Sequence, residues 1–203
     1  MRVLFYILFS VLTARAGFTT NWVLATGTAF HSGLTNACAD MFYLIPNMTS
    51  EVNPSGQVTY KGNWFDQYSA WYAFTGITNL CSQGYSGSAV VTVTSLGDYP
   101  VWIQYQFGGG ATPLAKAWSY CFPASFWYSG TPVTLTLYGS LNGSDWTVLD
   151  QLTLNQNYDC GDNWYFYRTF PNTTRYGYYR FEWTTGYYYM NASFSGVQLY
   201  GCQ

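Results

Sequence analysis

Residues 135–150, LTLYGSLNGSDWTVLD, read as two strands around a turn. Leu135 and Leu137 alternate with threonines before the turn, and Val148-Leu149 follow Trp146 after it. Asn142-Gly143 at the centre is a strong hairpin signal, because both residues tolerate positive φ. The same period of two recurs along the chain, whereas helical periodicity is scarce. In VWIQYQF, Val101, Ile103, Tyr105 and Phe107 share one face, with Gln104 and Gln106 on the other. In YYRFEW, Tyr179, Phe181 and Trp183 alternate with Arg180 and Glu182. Further strands are expected over 89–94, 116–122, 133–138, 148–154, 164–170 and 196–200, separated by clusters of Gly, Pro, Asn and Ser. About eight half-buried strands in one domain imply an all-β antiparallel sandwich or barrel.

The first sixteen residues read as an export signal rather than as part of the fold. Arg2 gives a positive start, residues 3–13 are an apolar run, and Ala14-Arg15-Ala16 is an A-x-A cleavage site. A run of eleven residues is too short for a bilayer core of about 30 Å, which needs ~20. Without Arg2 and Arg15, five basic residues face nine acidic ones, a net charge of about −4. No basic patch is available to neutralise phosphates, which argues against nucleic acid and against electrostatic anchoring to anionic lipid. No later apolar run is long enough to span a membrane. The expectation is a secreted, extracellular protein. Charged residues make up only 8% of the chain, so solubility must come from Ser, Thr, Asn, Gln and Gly, or from attached sugar. Four acceptor sequons begin at Asn47, Asn142, Asn172 and Asn191, and in a eukaryotic or viral secreted protein they favour glycosylation. Residues 17–46 read as a leader packing on the domain that occupies 47–203.

Cys38, Cys81, Cys121, Cys160 and Cys202 all lie in the exported part, where disulfides are the default. The odd count leaves at least one thiol free or paired between chains, as in a disulfide-linked oligomer. With no C-x-x-C and a single histidine, His31, a zinc site lacks closely spaced ligands. Catalytic signals are equally thin. Gly84-Tyr85-Ser86-Gly87-Ser88 misses the G-x-S-x-G elbow at its last residue. A facing carboxylate pair such as Asp66 with Glu182 would suit a glycosidase, but Glu182 alternates outward on its strand. The chain reads as no enzyme.

Several segments, in order, resemble the discoidin domains, also called coagulation factor V/VIII type C, of the galactose-binding-like superfamily. Met48-Thr49-Ser50 followed by Ala70-Trp71-Tyr72-Ala73-Phe74 is similar to the opening strand and the A-[WY]-x-A-F-D-G element. Residues 102–108, WIQYQFG, look like W-I-Q-[YI]-D-[FL]-G, and residues 137–146 match the L-x-G-S-N-D-G-x-x-W hairpin. Tyr178-Tyr179-Arg180-Phe181 and Val197-Gln198-Leu199-Tyr200-Gly201 match the last two strands. The resemblance implies a discoidin-like β-sandwich of the jelly-roll type, with ligand loops gathered at one end. It also implies a disulfide joining the two ends, Cys38 to Cys202. One further pair is expected among Cys81, Cys121 and Cys160. Many carbohydrate-binding relatives hold a structural calcium through an Asp and a Glu, but Thr75 and Gly196 stand at those positions here. No cofactor is therefore expected; backbone carbonyls between Thr75 and Asn79 would offer only a weak calcium site.

Three aromatic segments map to the ligand end. The first is Asn63, Trp64, Phe65, Asp66, Gln67 and Tyr68; the second holds Phe126 and Trp127; the third holds Tyr187, Tyr188 and Tyr189, followed by Asn191. Aromatic rings cover the apolar faces of sugars while neighbouring amides meet their hydroxyls. The resulting expectation is a lectin-like module that binds glycans or glycoproteins. Insertion of the loop aromatics into a phospholipid membrane, and protein-binding adhesion or attachment, are the alternatives. Trp146 is expected to act as a structural plug in the hairpin.

Overall fold

The computed structural model describes residues 41–64, 69–76, 89–93, 98–122, 133–154, 164–185 and 190–202. Strands β1 (Met41–Tyr43), β2 (Gln57–Lys61), β3 (Asn63–Trp64) and β4 (Ala89–Val93) come first. They are followed by β5 (Val101–Gln106), β6 (Ala115–Phe122), β7 (Val133–Ser140) and β8 (Thr147–Leu154). The last three are β9 (Trp164–Thr169), β10 (Tyr178–Thr185) and β11 (Met190–Cys202). The strands form two sheets: β3-β4-β11-β6-β9 with β1 added to β11, and β2-β5-β10-β7-β8. Every described pairing is antiparallel.

Alternation explains which faces meet. Val101, Ile103, Tyr105, Tyr179, Phe181 and Trp183 are at most 1% exposed, so the apolar faces of β5 and β10 form the floor of the core. Trp118, Tyr120, Phe194, Val197 and Leu199 close it from the other sheet. The large rings meet at tilted and edge-to-face angles. Phe181 lies 6.1 Å from Phe74 and 5.9 Å from Trp118, and Trp183 lies 6.1 Å from Tyr120. Such geometry suits the ring quadrupoles and adds about 0.5–1.5 kcal/mol per pair beyond area burial. Ala70–Phe74, the AWYAF segment, is a 3₁₀ helix that plugs Ala70, Ala73 and Phe74 into the core.

A polar pair bridges the two sheets between their β8 and β9 edges. Asp150 on edge strand β8 faces Arg168 on edge strand β9. Arg168 Nε donates to Asp150 Oδ2 at 2.6 Å and Nη2 to Oδ1 at 2.8 Å. Trp118 Nε1 donates to the same Oδ2 at 2.7 Å. The hydrogen bonds to Asp150 outweigh burial and raise the Arg168 pKa above its already high ordinary value.

Residues 41–46 belong to this architecture. Met41, Phe42 and Tyr43 register with Cys202, Gly201 and Tyr200, and Ile45 is fully buried. The described end of the leader is thus a strand of the larger sheet. Its short length and the Pro46 that follows hid it from periodicity.

Register also restricts the disulfides. Cys121 is disulfide-bonded. On β6 it pairs with Ser195, while Gly201 pairs with Ala115, six residues away. That separation is about 20 Å along the strand, and bridged Cα atoms lie within about 7 Å. Cys202 is therefore out of reach. Cys38, and with it the Cys38–Cys202 pairing that the resemblance implies, lies outside the described residues. Non-reducing peptide mapping is expected to link Cys121 to Cys81 or Cys160; a Cys121–Cys202 peptide would contradict the register.

Candidate functional site

The strand directions decide which loops meet. β3, the end of β6, the end of β10 and the start of β11 all lie at one end of the sandwich, away from Met41 and Cys202. Asn63 and Asn191 both register with Thr92, from opposite sides of β4, and Trp64 and Ala192 both register with Val91. Asn63 and Asn191 are therefore about two strand spacings apart, ~10 Å, but β3 runs in the same direction as β11, so Trp64 lies farther from the β11 start than Asn63 does. β6 runs beside β11, pairing Cys121 with Ser195, and its exit at Phe122 brings the base of the second segment alongside. Asn63 is exposed. Phe65, Asp66, Gln67, Tyr68, Phe126, Trp127, Tyr187, Tyr188 and Tyr189 lie outside the described residues, as do residues 77–79 of the stretch from Thr75 to Asn79. Tyr99 stands at the same end, its phenol pushed up to about 12 chiefly by burial and then by Asp98. It stays protonated at any physiological pH. Sequence reading missed Tyr99, since a lone Tyr before a Pro carries no signal.

The outer face of the second sheet holds a polar network that alternation located but did not resolve. Arg180 lies between two indoles, 4.1 Å from the Trp102 ring and 3.9 Å from the Trp146 ring. Its Nη2 donates to Gln104 Oε1 at 3.1 Å, and its Nη1 is 3.9 Å from Glu182 Oε2. Tyr138 donates to Glu182 Oε1 at 3.3 Å. Burial raises the Glu182 pKa, with Arg180 and the Tyr138 hydroxyl opposing it. Glu182 does face outward, but the network leaves it only 8% exposed. Its register neighbours are Trp102 and Thr136, neither of them a carboxylate. Trp146 holds the hairpin to the sheet through a cation, which is a more specific role than filling space.

The hairpin itself is not a two-residue turn. Six residues separate β7 from β8, and the Asn142 side chain organises them. Its Oδ1 accepts from the Ser144 and Asp145 amides, each at 2.9 Å, and its Nδ2 donates to Asp145 Oδ2 at 2.7 Å. Gly143 takes φ +77°.

No family model matches this chain, and no curated protein does. Solved structures do. The module CBM32-3 of a family 31 glycoside hydrolase from Clostridium perfringens superposes with a TM-score of 0.51 at 19% identity, over 71% of this chain and 87% of its own. Chitosan-binding module 1 of a chitosanase/glucanase from Paenibacillus sp. IK-5 does so with a TM-score of 0.53 at 16% identity, over 79% and 99%. The chain has the discoidin-like fold.

In this discoidin-like sandwich the residues at the calcium positions do not fit the ion. Thr75 replaces the Asp, and its hydroxyl donates to Tyr72 O at 3.2 Å. Gly196 replaces the Glu, with φ +55°, and a Cβ there would lie 3.1 Å from Cys121 Cβ. A carboxylate-bearing residue at that point would be strained by the positive φ and would have to push Cys121 aside by a few tenths of an ångström. Among the described residues, no three of His, Cys, Asp or Glu gather as a metal site. Also among them, no helix is long and apolar enough to cross a membrane.

The sequons differ in accessibility. Asn47 and Asn142 are exposed, and Asn191 lies on β11. Asn172 requires a correction, because it is 4% exposed and structural. Its Nδ2 donates to Ala115 O and Thr174 O, at 3.0 and 2.9 Å, and its Oδ1 accepts from the Thr174 amide. Both amide hydrogens are engaged, so a glycan there would break the packing. Mass spectrometry of the protein expressed in a eukaryotic host is expected to find Asn172 unmodified; high occupancy would refute the burial.

At the opposite end of the sandwich, between the β2 start, the β5–β6 connection and the hairpin, lies an open cleft of about 370 Å³. Neither motif nor resemblance points to it. The one sequence signal was the polar face of β5, which carries Gln104 and Gln106.

Proposed function

We propose that the chain is a secreted, non-catalytic carbohydrate-binding module acting in glycan recognition or adhesion through its aromatic loops. The observation that supports this reading is that the end of β6, which the second aromatic segment follows, and the start of β11, which the third precedes, lie at one end of the sandwich, with Asn63 and Asn191 flanking Thr92. That end lies away from Met41 and Cys202. The fold adds support, since it is shared with modules from glycoside hydrolases and with one named for chitosan. The net charge of about −4 favours neutral ligands over phosphate-rich ones. Trp64, Trp127 and Tyr188 would supply ring faces to sugar C–H surfaces, and Asn63, Asp66 and Gln67 would meet hydroxyls.

A glycan array on the mature protein tests the proposal. Positive glycans should lose about tenfold in affinity on Trp64→Ala, Trp127→Ala or Tyr188→Ala, roughly 1.4 kcal/mol each, with unchanged melting temperature. Undiminished affinity in all three variants would remove the loops from the site. Tight binding to liposomes or to a protein without any glycan binding would replace the lectin reading by one of its alternatives.

A further inference from the structure

The cleft at the end opposite the aromatic loops carries side chains unlike the rest of its sheet face. Gln57, Gln106 and Tyr178 stand in one row, since Gln57 registers with Gln106 and Gln106 with Tyr178. All three line the cleft. One row inward, Gln104 and Arg180 are bonded to each other and Tyr138 to Glu182. In the cleft row, by contrast, neither amide nor the phenol makes a side-chain hydrogen bond among the described residues. The row spans about two strand spacings, ~10 Å, and presents amide donors, amide acceptors and one hydroxyl.

The walls are fixed before any ligand arrives. Tyr105 Oη donates to Ser55 O at 2.7 Å, holding the segment before β2. The Phe107 amide donates to Gly177 O at 2.9 Å, tying the β5 exit to the β10 entry. The Tyr178 ring lies so close to Gly143 that a Cβ there would be 3.2 Å from it. Gly109 and Gly110 line the cleft with φ of +64° and +74°, and a Cβ on either would meet nothing within 4 Å. Space above them is open, and no side chain fills it. Among the described residues, no charged one lines the cleft.

From these features we infer that the cleft is a second binding site, for a neutral sugar ring. Its volume falls at the lower end of the range for small-ligand sites, about 300–1,000 Å³. Uncharged lining excludes strong selection for phosphate, sulfate or carboxylate groups. Amides at strand spacing suit neighbouring hydroxyls, and the Tyr178 ring offers an aromatic wall to an apolar sugar face. A purely hydrophobic ligand would leave both amides without partners on desolvation. This inference is independent of the loop proposal, and the two would make the domain bivalent.

Calorimetric titration of the full mature chain with methyl glycosides of galactose, glucose and N-acetylglucosamine tests it in two backgrounds. One is Trp64→Ala/Trp127→Ala/Tyr188→Ala, which disables the loops; the other adds Gln57→Ala/Gln106→Ala. Because these glutamines make no side-chain hydrogen bonds, the added substitutions should leave the melting temperature unchanged. The loop variant is expected to retain saturable binding of at least one probe. Adding the glutamine substitutions should weaken it tenfold or more. A loop variant that binds none of the probes, while the wild type does, overturns the cleft and leaves the loop proposal standing. Retained binding that ignores the glutamine substitutions also overturns the cleft. If the loop variant binds like the wild type and only the glutamine substitutions abolish binding, the cleft stands and the loop proposal fails.

Discussion

Asp150→Ala is expected to destabilise the fold by about 3 kcal/mol, the lower end for removing one partner of a buried ion pair. In a domain of this size that lowers the melting temperature by about 6–12 °C. The magnitude follows from what is left behind. Asp150 accepts two bonds from Arg168 and one from the Trp118 indole, and the pair is mostly out of water, with side chains 19% and 11% exposed. Alanine would strand a guanidinium and an indole N–H together at the mouth of the core. Adding Arg168→Met should recover part of the loss, since removing the whole pair costs less than orphaning one member. Denaturant titration of the single and double variants measures both. A single-variant loss under about 1 kcal/mol, the value of an exposed pair, would show that the clamp is a surface contact.

The second large effect is expected at Phe181. Its ring is fully buried between Phe74 and Trp118, and its register neighbours Ile103 and Leu137 are also fully buried. Phe181→Ala should cost about 3–5 kcal/mol, combining lost transfer energy with a cavity that aromatic neighbours cannot close. Phe42→Ala provides the control, because Phe42 is 41% exposed on the edge strand β1. Equal losses at both positions, read from urea midpoints, would disprove the assignment of the core to the β5–β10 face.

Those two sites also mark what the sequence could reveal. Phe181 was legible because β10 presents one face to the core and the other to the Arg180 network, so apolar and polar residues alternate. β5 is legible for the same reason. β2 was not, since among its outer and inner positions only Val58 is deeply buried. The start of β11 was hidden for another reason. Tyr187, Tyr188, Tyr189 and Met190 give an unbroken apolar run in which no period stands out. Long-range partners leave no local trace at all. Asp150 and Arg168 meet across 18 residues only because β8 and β9 end up as facing edges. The cleft likewise depends on register, which aligns Gln57 with Gln106 across a long stretch of sequence.

The edge strands of the sandwich matter for a chain with only 8% charged residues. Exposed strand edges invite pairing with other chains, and most soluble proteins deter it with lysines and other charges. Here geometry supplies the deterrent. β1 and β3 span three and two residues, too few to template a partner. β2 is bounded by Gly56 and Gly62, at φ +78° and +137°, which turn the chain away at both ends. β8 carries a bulge where Leu137 meets Asp150 and Tyr138 meets Val148, and the clamp to Arg168 draws it toward β9. Along β1, β2, β3 and β8, short length, flanking glycines and a bulge therefore do the work that charge does elsewhere, and β9 is tied across to β8 by the Arg168 clamp.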